Sequence, residues 1–109
     1  MSKHTPGPWR VDGEDISAPD VPCINICAGD FGPSFYHVCD VSSQLNERTE
    51  QFELLDSDWA NAHLIAAAPE MLAALEEAVR WIDNTSYMMA DQSMIDKINA
   101  VIAKAKGEA

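Results

Sequence analysis

Basic residues are scarce in this chain of 109 residues. Lys and Arg number 7 against 18 Asp and Glu, which gives a formal net charge of −11. Proteins that bind duplex nucleic acid neutralise phosphates with Lys and Arg, whereas a field of this sign repels them. The composition therefore argues against direct binding to duplex nucleic acid.

The acidic excess is concentrated in one part of the chain. Residues 11–58 hold eleven acids and a single base, Arg48, which is a net charge of −10. Such a field attracts a partner with a basic surface and speeds their encounter at low salt. Acidic loops that serve only solubility would have the same composition, so a basic partner and solubility both remain possible explanations.

Long apolar runs are also absent. No stretch approaches the roughly 18 apolar residues of a membrane span, and the first residues are polar and rich in proline, unlike the apolar centre of a signal peptide. We therefore expect a protein without a membrane span that stays in the compartment where it is made. An odd number of cysteines does not build a disulfide framework, so we expect reduced thiols at Cys23, Cys27 and Cys39.

Motifs for catalysis and for phosphate binding are missing. The chain contains neither GxxxxGK(S/T) nor GxGxxG, and its histidines lie outside any nucleophile signature. Adjacent acids such as Glu76 and Glu77 diverge on a helix and do not converge on one point. We therefore expect no enzymatic activity and no cofactor.

Four side chains of metal-ligand type lie in the N-terminal half: Cys23, Cys27, His37 and Cys39. Cys23 and Cys27 fall in a predicted strand, where about 3.3 Å per residue separates their Cα atoms by roughly 13 Å. That distance is too long for one tetrahedral zinc ion. Alternation places Cys23, Asn25 and Cys27 on one face of the strand. The other face holds Ile24 and Ile26, and we expect the cysteines to act as small buried hydrophobes.

The N-terminal half, residues 5–46, is predicted to be rich in strands. Trp9–Val11 alternates apolar and polar residues and is followed by the turn signal Asp-Gly. Cys23–Ala28 is the clearest strand, and Phe35–Val41 supplies another. These two strands predict an antiparallel hairpin, with Trp9–Val11 as a third strand. Residues 42–56 fit a loop, a short helix or an edge strand.

The C-terminal half, residues 58–106, is predicted to be helical. Asp56, Ser57 or Asp58 can cap a helix that ends near Ala67, and Pro69 either kinks this helix or starts a new one. Two further helices, predicted to form a hairpin, carry apolar stripes: Met71, Leu72, Leu75, Val79 and Ile82, then Met94, Ile95, Ile98, Val101 and Ile102. We predict a single α+β domain over residues 1–109, with a small antiparallel sheet of two to four strands packed against two or three helices.

Two passages resemble a known family. The chain reads HTPGPW from His4 to Trp9, and residues 60–75 read ANAHLIAAAPEMLAAL. Both are similar to passages shared by a widespread family of small proteins of tailed bacteriophages and prophages. The resemblance implies expression in the cytoplasm of an infected bacterium and carries over no catalytic residue. Members differ in the middle of the chain, which by analogy resembles a constant scaffold with a changing binding surface.

The resemblance and the acidic middle together imply an inhibitor of a host defence component that acts without catalysis. The candidate contact residues are Asp30, Phe31, Phe35, Tyr36, Glu47, Arg48 and Glu50. A sponge for a cyclic nucleotide or a related immune signal is an alternative, and its candidate binding residues are Trp9, Arg10, Arg48 and Arg80. An accessory or morphogenesis protein without a small ligand is a third interpretation.

Two further expectations concern the helical half. The alanine-rich run 66–68 permits close approach of helices, and a domain of this size gains stability from a partner, so we expect a homo-oligomer. Asn61 and His63, which lie within the shared passage, are predicted to be structural and to hold the helix to the sheet.

Overall fold

The computed structural model describes residues 4–15, 17, 20–29, 35–83 and 92–108. Within these residues, five strands are followed by three helices, which confirms the predicted α+β class. The chain divides into two compact units. One unit, the sheet unit, comprises Thr5–Pro69, and the other, the helical unit, comprises His4 and the described residues from 70 onward. Among the described residues, no helix has the length and apolar character needed to cross a membrane.

Three strands form the main sheet of the sheet unit: β1 (Trp9–Asp15), β2 (Cys23–Ala28) and β3 (Tyr36–Ser42). The central strand β2 pairs antiparallel with both neighbours. The predicted hairpin and the predicted third strand are therefore confirmed, and β2 has the predicted bounds.

Strand β1 is longer than predicted, because its Asp-Gly pair forms a bulge and not a turn. The register between β1 and β2 shifts between Val11 and Gly13, and Gly13 has a φ of 116°, which suits a residue without a Cβ atom. The extra residue also reverses the alternation that follows. Without the bulge, Asp15 would share a face with Val11. With it, Asp15 pairs with Cys23 and lies on the other face of the sheet.

Residues 42–56 contain a second hairpin, an arrangement that the three open interpretations of this segment did not include. Strands β4 (Gln44–Asn46) and β5 (Gln51–Glu53) pair antiparallel in a separate two-stranded sheet. The turn is closed by Asn46, whose side-chain oxygen accepts the backbone N–H of Arg48 at 3.0 Å and whose carbonyl accepts that of Glu50 at 2.7 Å.

Helix α1 (Asp56–Ala66) packs on the main sheet. It begins earlier than predicted, so that Asp58 lies in its first turn. Oδ2 of Asp58 accepts the backbone N–H of Leu55 at 2.8 Å, which holds the residue before the helix in place. Ala62 and Ala66, one turn apart, are buried against the main sheet and bring the helix backbone close to it.

The shared passages resembling the phage family meet in the sheet unit. A Cβ atom added to Gly7 would lie 2.9 Å from Cβ of Pro69, so only glycine allows this approach. Asn61 and His63 are exposed, and the prediction that they hold the helix to the sheet is wrong. Ala62 and Ala66 perform that role, because the helical period turns them, and not their neighbours, toward the sheet.

Two helices form the rest of the described chain: α2 (Ala68–Asp83) and α3 (Gln92–Ala105). Pro69 lies in the first turn of α2 and starts a new helix, which is the second of the two predicted alternatives. Nζ of Lys106 is 3.3 Å from the Glu76 carboxylate, so the C-terminal end of α3 lies beside α2. Leu72 is buried, whereas no described residue of α3 is.

Candidate functional site

The main sheet has two faces of different chemistry. On the face covered by α1, Ile24 and Ile26 are fully buried. The opposite face carries Cys23, Asn25 and Cys27, which confirms the predicted alternation along β2. We call this second face the polar face, and its polar members are Arg10, Asp12, Asp15, Cys23, Asn25, Cys27, His37, Asp40 and Ser42.

Arg10 supplies the positive charge of the polar face. Its Nε donates to Oδ1 of Asp12 at 3.3 Å, and its terminal nitrogen donates to the carbonyl oxygen of Gly29. The guanidinium is therefore held by β1 itself and by the residue that follows β2. Its charge is offset by the neighbouring carboxylate, because the two form an ion pair.

The thiols of Cys23 and Cys27 each lie next to an aspartate carboxylate. Sγ of Cys27 is 3.9 Å from Oδ2 of Asp12, and Sγ of Cys23 is 3.9 Å from Oδ2 of Asp15. Burial raises the pKa of both thiols, and the neighbouring aspartates raise it further by repelling a thiolate. Because the thiolate is the reactive form, the raised pKa lowers the fraction of reactive thiolate at neutral pH.

Hydrogen bonds fix two of the carboxylates. The Ser17 hydroxyl and backbone N–H donate to Oδ1 of Asp15 at 2.6 and 2.9 Å, and they lower the pKa of that carboxyl. On β3, Nε2 of His37 lies 2.6 Å from Oδ1 of Asp40. The polar face thus holds three aspartates against one arginine and carries a net negative charge.

The four residues of metal-ligand type do not converge. Cys39 packs against the core on the α1 side of the sheet, whereas Cys23 and Cys27 lie on the polar face. Within the described ranges, no group of three or more His, Cys, Asp or Glu side chains is arranged to hold a metal ion.

The predicted contact residues fall into two groups, and Asp30 and Phe31 lie outside the described residues. Phe35 and Tyr36 are exposed where β3 begins, with 38% and 56% of their surfaces accessible. A second group is exposed in the turn between β4 and β5: Glu47, Arg48 and Glu50.

The β4–β5 turn borders a cavity of about 460 Å³. Glu50 and Phe52 line one part of it, and Asp20 and Val21, which precede β2, line another. Its lining combines the carboxylates of Asp20 and Glu50 with apolar side chains, so the cavity is a second negatively charged part of the sheet unit.

The residues predicted for nucleotide binding are spread over three elements. Arg10 is on β1, Arg48 is in the β4–β5 turn, and Arg80 is on α2 in the other unit. Trp9 packs against the core on the face of the sheet opposite to Arg10, and its indole N–H donates to the carbonyl of Thr5 at 3.0 Å. On the polar face, a phosphate beside Arg10 would also meet aspartates.

The sequence reasoning did not select Asp12, Asp15, His37 or Asp40 as site residues. Alternation places Asp40 on the same face as His37 only if a bulge in β3 is known, because the register shifts between Ile26 and Cys27. The predicted hairpin could have indicated Asp40, because a residue opposite Asn25 on the paired strand lies on the same face of the sheet.

In the comparison with family models, residues 1–109 match a model described as Salmonella phage P22 protein Y8K6. Comparisons with curated proteins and with solved structures found no match.

Proposed function

The chain belongs to the Salmonella phage P22 protein Y8K6 family, and from this premise we propose a phage accessory protein that binds a host defence component and inhibits it without catalysis. The polar face of the main sheet is the proposed contact surface, and its target is a basic surface that normally holds nucleic acid. The observation that carries the proposal is the set of three aspartates on one rigid sheet face.

Charge supports a basic target. Asp12, Asp15 and Asp40 outnumber Arg10 on the polar face, and the whole chain has a net charge of −11. A surface rich in Lys and Arg gains ion pairs with these carboxylates, and the long-range field raises the rate of encounter. Nucleic acid itself is repelled by the same field, so the protein competes with it for the target and does not join it.

Rigidity supports a preformed contact surface. The aspartates lie on strands β1 and β3 instead of on loops, and Ser17 and His37 hold two of them in place. The opposite side of the sheet is anchored by a fully buried core. Little side-chain freedom then remains to be lost on binding, which favours affinity.

The state of the thiols supports binding over nucleophilic catalysis. Cys23 and Cys27 are the strongest potential nucleophiles of the polar face, and their raised pKa values keep them protonated at neutral pH. The face offers hydrogen-bond acceptors and negative charge, which suit recognition of arginine and lysine side chains.

The test is capture of the target from lysate of infected cells with the tagged chain and with the variant D12N/D40N. A matched control, D56N/E108Q, removes the same charge from exposed positions outside the polar face. We expect the control to retain the target and D12N/D40N to lose it by on the order of tenfold or more, because charged hydrogen bonds at an interface are lost.

Two further readouts separate this function from a merely structural role. Affinity for the captured protein should fall steeply between low and physiological salt, because ion pairs are screened. A phage carrying D12N/D40N should grow normally on hosts without the defence system and fail on a host that has it. A salt-independent affinity, or equal growth on both hosts, contradicts the proposal.

A further inference from the structure

The β4–β5 hairpin exposes an apolar pair on one of its faces. Leu45 and Phe52 are opposite each other in the antiparallel register, so both side chains project from the same face of this small sheet. They have 53% and 39% of their surfaces accessible. The hairpin is separate from the main sheet. A partly exposed aromatic ring at this place can contact a ligand as well as its own hairpin.

Phe52 forms one wall of the cavity of about 460 Å³ beside the β4–β5 turn. Val21, which is 48% accessible, forms another apolar wall from the segment that precedes β2. We call this cavity the Phe52 pocket, and its described lining is Asp20, Val21, Glu50, Gln51 and Phe52. Ligand sites in proteins are concave, combine apolar walls with a few polar groups and have volumes of roughly 300–1,000 Å³. The Phe52 pocket has the size and the mixed lining of such a site.

The polar groups of the Phe52 pocket give it a negative charge. Asp20 and Glu50 contribute carboxylates, and Gln51 contributes an amide whose oxygen also accepts hydrogen bonds. Among the described residues that line the pocket, none is Lys, Arg or His. Arg48 is exposed in the same turn but is outside this lining. The pocket therefore favours a cation and repels a phosphate or a carboxylate.

Hydrogen bonds within the β4–β5 turn set the position of Glu50. Its backbone N–H donates to the carbonyl oxygen of Asn46 at 2.7 Å. Oδ1 of Asn46 accepts the backbone N–H groups of Arg48 and Thr49 at 3.0 and 3.4 Å. A turn held in this way has less backbone freedom to lose on binding, so it presents the Glu50 carboxylate from a preformed position.

Carboxylates beside an aromatic ring suit a guanidinium group better than an ammonium group. A guanidinium is planar, so it can stack on the ring of Phe52 while its edge donates to a carboxylate. Its five N–H donors can be shared among Asp20, Glu50 and the Gln51 amide oxygen, whereas an ammonium has three donors. The aliphatic part of an arginine side chain also suits an apolar wall such as Val21.

We propose that the Phe52 pocket binds an arginine side chain of a protein partner. A free small molecule is usually bound with most of its surface buried, whereas the walls formed by Val21 and Phe52 are 48% and 39% accessible. An arginine presented by a larger partner suits such an open pocket, because the partner surface around it excludes water from the rim. The net charge of −11 attracts a basic partner. The pocket takes an exposed arginine of any such partner, whether or not the polar face binds a defence component.

Amide NMR titration of the isotope-labelled chain with short peptides tests the Phe52 pocket. The probes are capped pentapeptides with two glycines on each side of a central arginine, lysine or citrulline, and citrulline is an uncharged analogue of arginine with nearly the same shape. We expect the arginine peptide to shift the backbone N–H signals of Val21, Gln51 and Phe52 saturably, with a dissociation constant on the order of millimolar. The lysine peptide should bind about threefold more weakly or worse, and the citrulline peptide should not saturate.

Three variants assign the binding to the lining of the pocket. D20N/E50Q removes both carboxylates at nearly constant side-chain volume and should raise the dissociation constant of the arginine peptide about tenfold or more. F52L keeps an apolar wall but removes the aromatic face, and should raise it about two- to fivefold. The matched control D56N/E108Q removes the same charge from exposed positions outside the pocket lining and should stay within about twofold of the original chain. The remaining amide signals show whether each variant is folded.

Several outcomes overturn the proposal. The arginine peptide could give no saturable shift up to about 20 mM, a range that covers weak single-residue contacts, or it could shift signals away from the pocket. D20N/E50Q could bind it like the control, or the citrulline peptide could bind equally well, and charge would then play no part. Butylguanidinium, a free guanidinium compound with an apolar stem, tests the other source of the same chemistry. A dissociation constant about tenfold or more below that of the arginine peptide would assign the pocket to a free organic cation instead of a protein partner.

Discussion

The sheet unit and the helical unit differ in how deeply they bury their apolar side chains. The sheet unit encloses Ile24 and Ile26 completely and displays carboxylates that its own residues hold in place. In the helical unit Leu72 is buried, whereas Met71, Trp81 and Val101 are exposed and no described residue of α3 is buried. The sheet unit also exposes apolar side chains, Leu45 and Leu64 among them, so the two units differ in their buried core and not in having exposed apolar residues. A buried core allows the sheet unit to present a rigid surface to a partner.

Truncation of a buried isoleucine should show the largest difference between the units. Ile26→Ala removes a fully buried side chain between the sheet and α1, and we expect a loss of about 2–5 kcal/mol in the free energy of unfolding. Ile98→Ala in α3 makes the same change at a partly exposed position and should cost about 1 kcal/mol or less. Urea denaturation of both variants measures the difference, and equal losses would remove the contrast between the units.

Deletion of a carboxylate should show a smaller difference. Asp58 is buried, with its two oxygens accepting from the Leu55 backbone and from Nε2 of Gln44 at 2.8 and 3.2 Å. Asp58→Ala therefore removes the acceptor of both donors, and we expect a loss of about 1–3 kcal/mol. Glu76→Ala breaks the partly exposed ion pair with Lys106 and should cost about 0–1 kcal/mol. Thermal unfolding ranks the two variants, and a larger loss for Glu76→Ala would contradict this expectation.

Much of the fold could be predicted from local pattern. The alternation in Cys23–Ala28 extends over enough residues to identify a strand and its buried face, and the 3.6-residue period after residue 58 identifies the helices. It does not identify the buried face of α3, because no described residue of that helix is buried. The β4–β5 hairpin was missed because strands of three residues are too short to show a period. The length of β1 was missed because the same Asp-Gly pair serves a turn or a bulge, and pairing with β2 decides between them.

The candidate site was less predictable, because strand pairing assembles it from distant segments. Counting acids along the chain identified the region of negative charge but not its face. Asp15 joins Arg10 on the polar face only through the bulge at Gly13, and Asp40 only through the bulge in β3. The apolar stripes of α2 and α3 are visible in the sequence, but the exposure of Met71, Met94 and Val101 within them required the structure.

Thiol reactivity should distinguish the two units through burial. Cys27 is 1% exposed, and its burial and Asp12 raise the pKa of the thiol, so the thiolate fraction stays small until the pH rises through that raised value. A cysteine at position 101, introduced as V101C where Val101 is 54% exposed on α3, lacks this protection. At pH 8, we expect Cys27 to be alkylated at least about tenfold more slowly than the new cysteine. Peptide mass spectrometry resolves the two sites within one chain, and equal rates would contradict a sheltered thiol.

The smallest expected effect concerns acid, and it tests whether the carboxylates of the polar face are held as described. Ser17 lowers the pKa of Asp15, so the ionised carboxylate stabilises the fold above its ordinary pKa, and this contribution is lost as the pH falls through the lowered value. Ser17→Ala removes the hydroxyl donor and should raise the pKa of Asp15 toward its ordinary value, although the backbone N–H continues to donate. A carboxyl-detected NMR titration measures this directly, with Ser57→Ala as a control at an exposed serine of α1. If the pKa of Asp15 is the same in both variants, Ser17 does not hold the carboxylate, and the rigidity of the polar face must then come from the strands alone.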